Sequence, residues 1–418
     1  MDTTPKGNRL HIALLGRTNV GKSSFLNMMI GQDVAITSPI AGTTTDVVEK
    51  AMELLPLGPV LFLDTAGLDD TSELSELRLG KTAKIFDRAD VAILVTEPDV
   101  WGNYEEEVLA EMEKRKIPVI VAINKIDLHN PSESFIRTLK EKTSHVVPVS
   151  SIDPARRNYF LDTLKRQLLE IAPDDFVQPP SLVGDLLPPG GLAVLVVPID
   201  LQAPKGRLIL PQVQTIRDAL DNDAAVLIVK ERELPTTLSL LNRPPDVVVC
   251  DSQAILKVSA DVSPAIPLTT FSILFARQKG DLATAAEGAA QIETLQSGDR
   301  VLIAEACSHH PLQDDIGRVK IPRWLKQYVG GDIRTDVSAG RDYPANLRDY
   351  KLIIHCGGCM LTRREMLSRM QQAREANVPV TNYGLAISFT QGVARRTLSP
   401  FPSALLAFER KLKQIRSS

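Results

Sequence analysis

Gly16 to Ser23 reads GRTNVGKS and fits the pattern G-x-x-x-x-G-K-[ST] at every fixed position. The apolar run Leu10 to Leu15 before it has the composition of a buried strand, and Ser24 to Ile30 after it reads as a helix. A strand, a glycine-rich loop and a helix in that order form the phosphate-binding unit of P-loop nucleotide hydrolases. Glycines at both ends, Gly16 and Gly21, let backbone N–H groups turn inward on phosphates, and the positive end of the helix dipole adds to them. Lys22 is then expected to reach the β and γ phosphates, and Ser23 to hold Mg²⁺. Asn19, Val20 and Ser24 complete the residues expected to line the nucleotide.

The rest of such a machine follows in order. Leu61 to Gly67, LFLDTAG, reads as a strand ending in Asp64, with Gly67 free to turn its N–H onto a γ phosphate. Ala41 to Asp46, AGTTTD, offers Thr44 to Mg²⁺ by its hydroxyl and to the γ phosphate by its N–H. Val119 to Asp127, VIVAINKID, delivers Asn124, Lys125 and Asp127 to a base pocket. The Asp127 carboxylate can accept from both N1–H and the exocyclic amino group of guanine, donors that adenine does not present together. The expected nucleotide is therefore GTP or GDP. Val147 to Ile152, VPVSSI, brings Ser150 and Ser151 to the same pocket. Lys22, Thr44, Asp64 and Gly67 are the expected catalytic set. Leu68 stands where Ras-type enzymes carry the glutamine that orients water, so intrinsic hydrolysis is expected to be slow.

A chain of 418 residues, 44% hydrophobic and 24% charged, suits several globular α/β domains. Apolar strands alternate with helical stretches from residue 10 to about 171, the pattern of a doubly wound parallel sheet. APDDFVQPP, from Ala172, marks a linker, and SPAIP, from Ser263, a second boundary. The expected division is a Ras-like GTPase domain over 1–172, a small α/β dimerisation domain over 173–265 and an α/β domain over 266–418. A net charge of −3 gives no electrostatic argument for nucleic acid, and aromatic residues for base stacking make up only 5%. No leader pattern and no apolar stretch of bilayer-spanning length is present, so a cytoplasmic location without membrane contact is expected.

Four cysteines occur, Cys250, Cys307, Cys356 and Cys359. In a reducing compartment they argue against a disulfide framework. RVLIAEACSHH, from Arg300, and KLIIHCGGC, from Lys351, place Cys307 and His309, and His355, Cys356 and Cys359, at strand ends. In a parallel sheet such ends open on one crevice. Three thiolates and nearby imidazoles can hold zinc as Cys₃His or three corners of a 4Fe-4S cluster, and Cys356 and Cys359 alone can form a redox dithiol. Cys250 reads as structural.

A P-loop GTPase segment followed by C-x-H and, after 45 intervening residues, H-C-x-x-C resembles the FeFe-hydrogenase maturation GTPases, the HydF family. The resemblance implies that Cys307, Cys356 and Cys359 ligate a 4Fe-4S cluster, with His309 or His355 as a fourth ligand or beside it. It also implies a homodimer through the middle domain, with an apo FeFe-hydrogenase and two radical S-adenosylmethionine maturases as partners. The implied role is a scaffold or carrier that delivers the diiron precursor of the hydrogenase active site, with GTP acting as a switch. The usual family spacing is slightly longer. The GTPase segment is also similar to potassium-activated GTPases, which implies K⁺ held beside Asn19, although Asn19 can equally serve loop hydrogen bonds alone. The alternative is an RNA-modification or ribosome-linked GTPase with a structural zinc, and a GTP-regulated dithiol switch is a third.

Overall fold

A computed structural model describes residues 4–31, 48–64, 85–198, 208–306, 315–340 and 342–417. Thr44, Gly67, Leu68, Cys307 and His309 lie outside the described residues. The chain divides into two compact units, Met1–Pro179 and Pro180–Ser418.

The first unit is built on a six-stranded sheet of order β2-β3-β1-β4-β5-β6. Its strands are β1 (Leu10–Leu15), β2 (Val48–Leu54), β3 (Gly58–Asp64), β4 (Val91–Thr96), β5 (Val119–Ile123) and β6 (Val146–Pro148). Side chains of a strand alternate between the two faces, and here both faces are covered. Leu10, Ile12 and Leu14 join Phe25, Phe62 and Leu164 on one side, while Ala13 and Leu15 join Leu63, Leu94 and Met112 on the other. Burial on both sides explains why β1 and β4 are almost wholly apolar, with only the buried His11 and Thr96 as polar members. Each fully buried aliphatic or aromatic side chain contributes about 1.5–3 kcal/mol relative to exposure.

The all-parallel expectation needs one correction. β2 runs antiparallel to β3, with Val48 opposite Asp64 and Leu54 opposite Gly58, and forms the sheet edge. Its sequence VEKAMEL alternates: Met52 and Leu54 are buried, whereas Glu53 is exposed. Such an edge strand is only half apolar and lacks the run that marks the central strands.

The second unit holds two four-stranded sheets, each parallel throughout. One has β7 (Leu192–Val196), β8 (Ala225–Val229), β9 (Val247–Cys250) and β10 (Leu268–Thr270) in the order β10-β9-β7-β8. The other has β11 (Arg300–Glu305), β12 (Arg334–Ala339), β13 (Leu352–His355) and β14 (Val380–Asn382) in the order β12-β11-β13-β14. β10 lies beyond the expected boundary at 265, because SPAIP is a turn inside the first of these sheets. One continuous set of buried side chains, including Val194, Val249, Phe271, Phe275, Val301, Ile354 and Leu385, serves both sheets. β12, with sequence RTDVSA, was not foreseen because it is a half-exposed edge strand with one large apolar residue. Among the described residues no helix is long and apolar enough to cross a membrane.

Candidate functional site

The phosphate loop joins β1 to the helix Lys22–Ile30. Gly16 has φ of +144°, and a Cβ there would stand 2.4 Å from the carbonyl oxygen of Val95, so β4 leaves no room for a side chain. Gly21 is left-handed at φ +92° and caps the helix. The Lys22 ammonium, buried at the mouth, donates to the carbonyls of Gly16 at 2.6 Å and Arg17 at 2.9 Å. Ser23 and Ser24 are exposed in the first helical turn, Val20 is buried beneath the loop, and Asp64 ends β3 beside Leu14 of β1. An oxygen-seeking Mg²⁺ fits this set, with the Ser23 hydroxyl at an open helix start and the Asp64 carboxylate at the adjoining strand end.

The base motif is tied to that loop. Asn124 donates from Nδ2 to the Val20 carbonyl at 2.9 Å, and its Oδ1 accepts from the Ser151 N–H at 3.1 Å and hydroxyl at 2.8 Å. Lys125 has φ +63°, and its ammonium bonds the Asn19 carbonyl at 2.6 Å and the Glu97 carboxylate. Ser150 donates its hydroxyl to Asp127. Asp127 is thereby oriented as an acceptor, which is the property guanine recognition needs. Asn19 is itself left-handed at φ +65°.

Sequence reasoning missed a third contributor. In the helix Asn103–Lys114, Glu105 is fully buried and takes both arms of Arg17, at 2.7 and 2.6 Å, as well as the Gly102 N–H at 2.9 Å. The Arg17 guanidinium is held above its ordinary pKa chiefly by that hydrogen bond. The Gly16 N–H reaches the Tyr104 hydroxyl at 3.3 Å. Arg17 is thus turned onto this helix. An acidic residue at the third position of the helix was the available signal, but its partner is 88 positions away.

The second constellation sits at one end of the last sheet. β11 and β13 are parallel neighbours, with Ala304 opposite His355, so Glu305 and His355 end side by side. The Ala306 N–H donates to Cys356 Sγ at 3.1 Å, which brings the chain just before Cys307 against the first cysteine of Cys-x-x-Cys. Cys356 and Cys359 are half-buried. Gly358 is left-handed at φ +62°, as the turn between them requires. His355 is buried, its Nδ1 lies 3.0 Å from the Cys356 carbonyl, and its Nε2 has no hydrogen-bond partner among the described residues. Burial first, then the Arg369 charge, push the imidazole down to about 3, so it is neutral and able to coordinate. Glu305, unremarked in the sequence, is buried at the same strand end and paired with Arg318 at 2.8 Å. Cysteine sulfurs at two points, a neutral imidazole nitrogen without a partner among the described residues and a glycine-lined turn are a donor set that fits an iron–sulfur cluster or zinc. Among the described residues no complete cluster of three ligands is present. Cys250 is buried with its thiol pushed well up by burial, as a structural residue should be.

A sheet parallel except for its β2 edge, the phosphate loop and the guanine pocket define Met1–Pro179 as a P-loop GTPase domain. The family model of the 50S ribosome-binding GTPases matches residues 11–125. Models of the hydrogen maturase F dimerization and tetramerization domains match residues 182–280 and 283–400, together more than half of the chain. The chain belongs to the HydF family of hydrogenase maturation GTPases. It is 34% identical over 163 residues to the tRNA modification GTPase MnmE of Chromobacterium violaceum, covering 39% of this chain and 34% of that protein. It is 31% identical over 173 residues to the GTPase Der of Wolinella succinogenes, covering 39% and 36%. The chain thus spans about a third of the length of the curated relatives it matches. A solved structure of Era from Aquifex aeolicus, bound to GDP and aluminium fluoride, is 29% identical with a TM-score of 0.31, over 39% of this chain and 57% of that one.

Proposed function

We propose that this chain binds and slowly hydrolyses GTP and carries a 4Fe-4S cluster on Cys307, Cys356 and Cys359, acting as the scaffold that delivers the diiron precursor to apo FeFe-hydrogenase. The observation that carries the reading is the Ala306 N–H bond to Cys356 Sγ at adjoining strand ends in a chain of this family. The cluster, when bound, supplies an iron open to an incoming ligand. The chain's own part is to fix two thiolates on one glycine turn, bring the strand before Cys307 against them, and keep His355 neutral beside them. His309 and His355 remain the candidates for a fourth ligand, and Glu305 joins them as a carboxylate two positions before Cys307.

In the GTPase domain Lys22 neutralises the β and γ phosphates, and Ser23 with Thr44 holds Mg²⁺. Asp64 and Gly67 respond to the γ phosphate, and Asn124, Lys125, Asp127, Ser150 and Ser151 hold guanine. K⁺ beside Asn19 would add charge that Arg17, engaged by Glu105, does not supply. Faster hydrolysis in K⁺ than in Na⁺, lost in Asn19→Ala, is the expected outcome. The middle part, 182–280 in the family match, pairs two copies of the chain. Support comes from β8, an edge strand whose Ile228 is exposed. The apo-hydrogenase and two radical S-adenosylmethionine maturases are the further partners, and the protein works in the cytoplasm.

The test is the electron paramagnetic resonance spectrum of the anaerobically reconstituted, dithionite-reduced protein beside the triple variant Cys307→Ser, Cys356→Ser, Cys359→Ser. A cubane signal lost in the variant supports the reading. A silent spectrum with tightly held zinc overturns it in favour of a structural-zinc GTPase.

A further inference from the structure

Two buried hydroxyls at the carboxyl-terminal end of the last sheet have no hydrogen-bond partner among the described residues. They are those of Tyr343 and Tyr383. All four strands of the last sheet run parallel, so their carboxyl ends share one edge. The inner pair, β11 and β13, lead to Ala306 and Cys356. The outer pair, β12 and β14, end at Ala339 and Asn382, and the two tyrosines follow them shortly in the chain. One phenol therefore comes from each outer strand towards the cysteines of the inner two.

Their electrostatic surroundings agree with that topology. Burial raises both phenols above their ordinary range; Arg369 opposes this at Tyr343 and Arg318 at Tyr383, while the negative charge of Cys356 adds to it at both. Tyr383 is raised also by Glu305 and Asp315. Both groups thus stay protonated and are O–H donors. A Cβ on Gly317 would fall 2.0 Å from the Tyr383 hydroxyl, so this glycine is what admits the phenol to its place. Behind Tyr343, the buried Arg369 guanidinium lies 4.3 Å from the ring centroid and bonds the Gly340 carbonyl at 3.3 Å. A folded protein seldom hides a donor without an acceptor, and two at the sheet edge that carries Cys356 point to an acceptor that arrives with a ligand.

We propose that Tyr343 and Tyr383 are positioning residues that donate hydrogen bonds to the sulfurs of the group held by Cys356 and Cys359, and that with Arg369 they raise its reduction potential. This rests on the cluster reading above. Adding an electron makes the sulfurs better acceptors, so donors and a nearby cation favour the reduced form.

The test is a redox titration, followed by electron paramagnetic resonance, of the full-length reconstituted protein and of Tyr343→Phe and Tyr383→Phe. Tyr328→Phe, whose hydroxyl bonds Glu293 instead, is the control. Phenylalanine keeps the ring, so packing survives, and iron content per chain is measured alongside. Each site variant is expected to shift the reduced-to-oxidised ratio about tenfold towards the oxidised form at fixed potential, or 59 mV more negative for one electron. Arg369→Met is expected to shift in the same sense and Arg369→Lys less. A wild-type cubane whose midpoint is unmoved by both tyrosine changes, or moved equally by the control, overturns this inference and leaves the cluster reading standing. Absence of any cubane signal from the wild type overturns both.

Discussion

Removing either partner of the Arg17–Glu105 pair is expected to have unequal consequences. Glu105 is fully buried, while the Arg17 side chain is 42% exposed. Arg17→Ala leaves the carboxylate buried with the Gly102 N–H as its remaining bond among those described above. An uncompensated charge in a deep interior costs about 3–5 kcal/mol, but deleting a partly exposed arginine admits water, so about 2 kcal/mol is expected. Glu105→Gln keeps an acceptor for Gly102 and lets Arg17 hydrate, at about 1 kcal/mol. The double variant should fall near the glutamine single, giving a coupling of about 2 kcal/mol. Urea unfolding of the full chain in a Trp324→Phe background measures this, because Trp101 then reports on the first unit alone. Equal losses in the two singles, with a strictly additive double, would refute the account.

Further outcomes can be checked separately. Asp127→Asn exchanges an acceptor for a donor and loses two charge-assisted bonds of about 1.5–3 kcal/mol each. Calorimetry should find at least about a hundredfold weaker GTP binding, with xanthosine triphosphate binding gained. Gly16→Ala must move the β4 backbone at Val95 and hold alanine at a glycine-only φ, about 1–3 kcal/mol of strain. It should lower the melting temperature of the first unit and weaken binding of a fluorescent GDP. For His355 in the metal-free chain, the folded imidazole protonates near 3 and the unfolded one near 6.5. The unfolded state therefore binds more protons between those values, and stability held above pH 6.5 falls as pH drops, at up to about 1.4 kcal/mol per unit. His355→Gln should flatten that limb of a denaturation series between pH 4 and 7.

The central strands were legible because burial on both faces leaves a mostly apolar run, broken only by His11 in Leu10–Leu15 and by the final Thr96 in Val91–Thr96. The guanine motif was legible because its residues lie within a few positions of one another. What escaped lies at edges and across long separations. β2 and β12 are half-solvated, so their patterns resemble loops, and Glu105 is linked to Arg17 only by the tertiary fold. The same holds for the cysteine crevice. Strand ends could be read as sharing an edge, but Glu305, Tyr343, Tyr383 and Arg369 carry no motif and come together only through the order β12-β11-β13-β14.

The interior common to the two sheets of the second unit also limits how force can travel there. Side chains such as Phe271, Phe275 and Leu385 belong to a single dry interior, so neither sheet can swing away from the other without opening water-filled gaps along its length. A partner that grips the β8 edge therefore has hold of a stiff handle. Turning it carries the cysteine turn through space with its internal geometry preserved, so presentation of a cargo to a recipient becomes a question of aim and not of deformation.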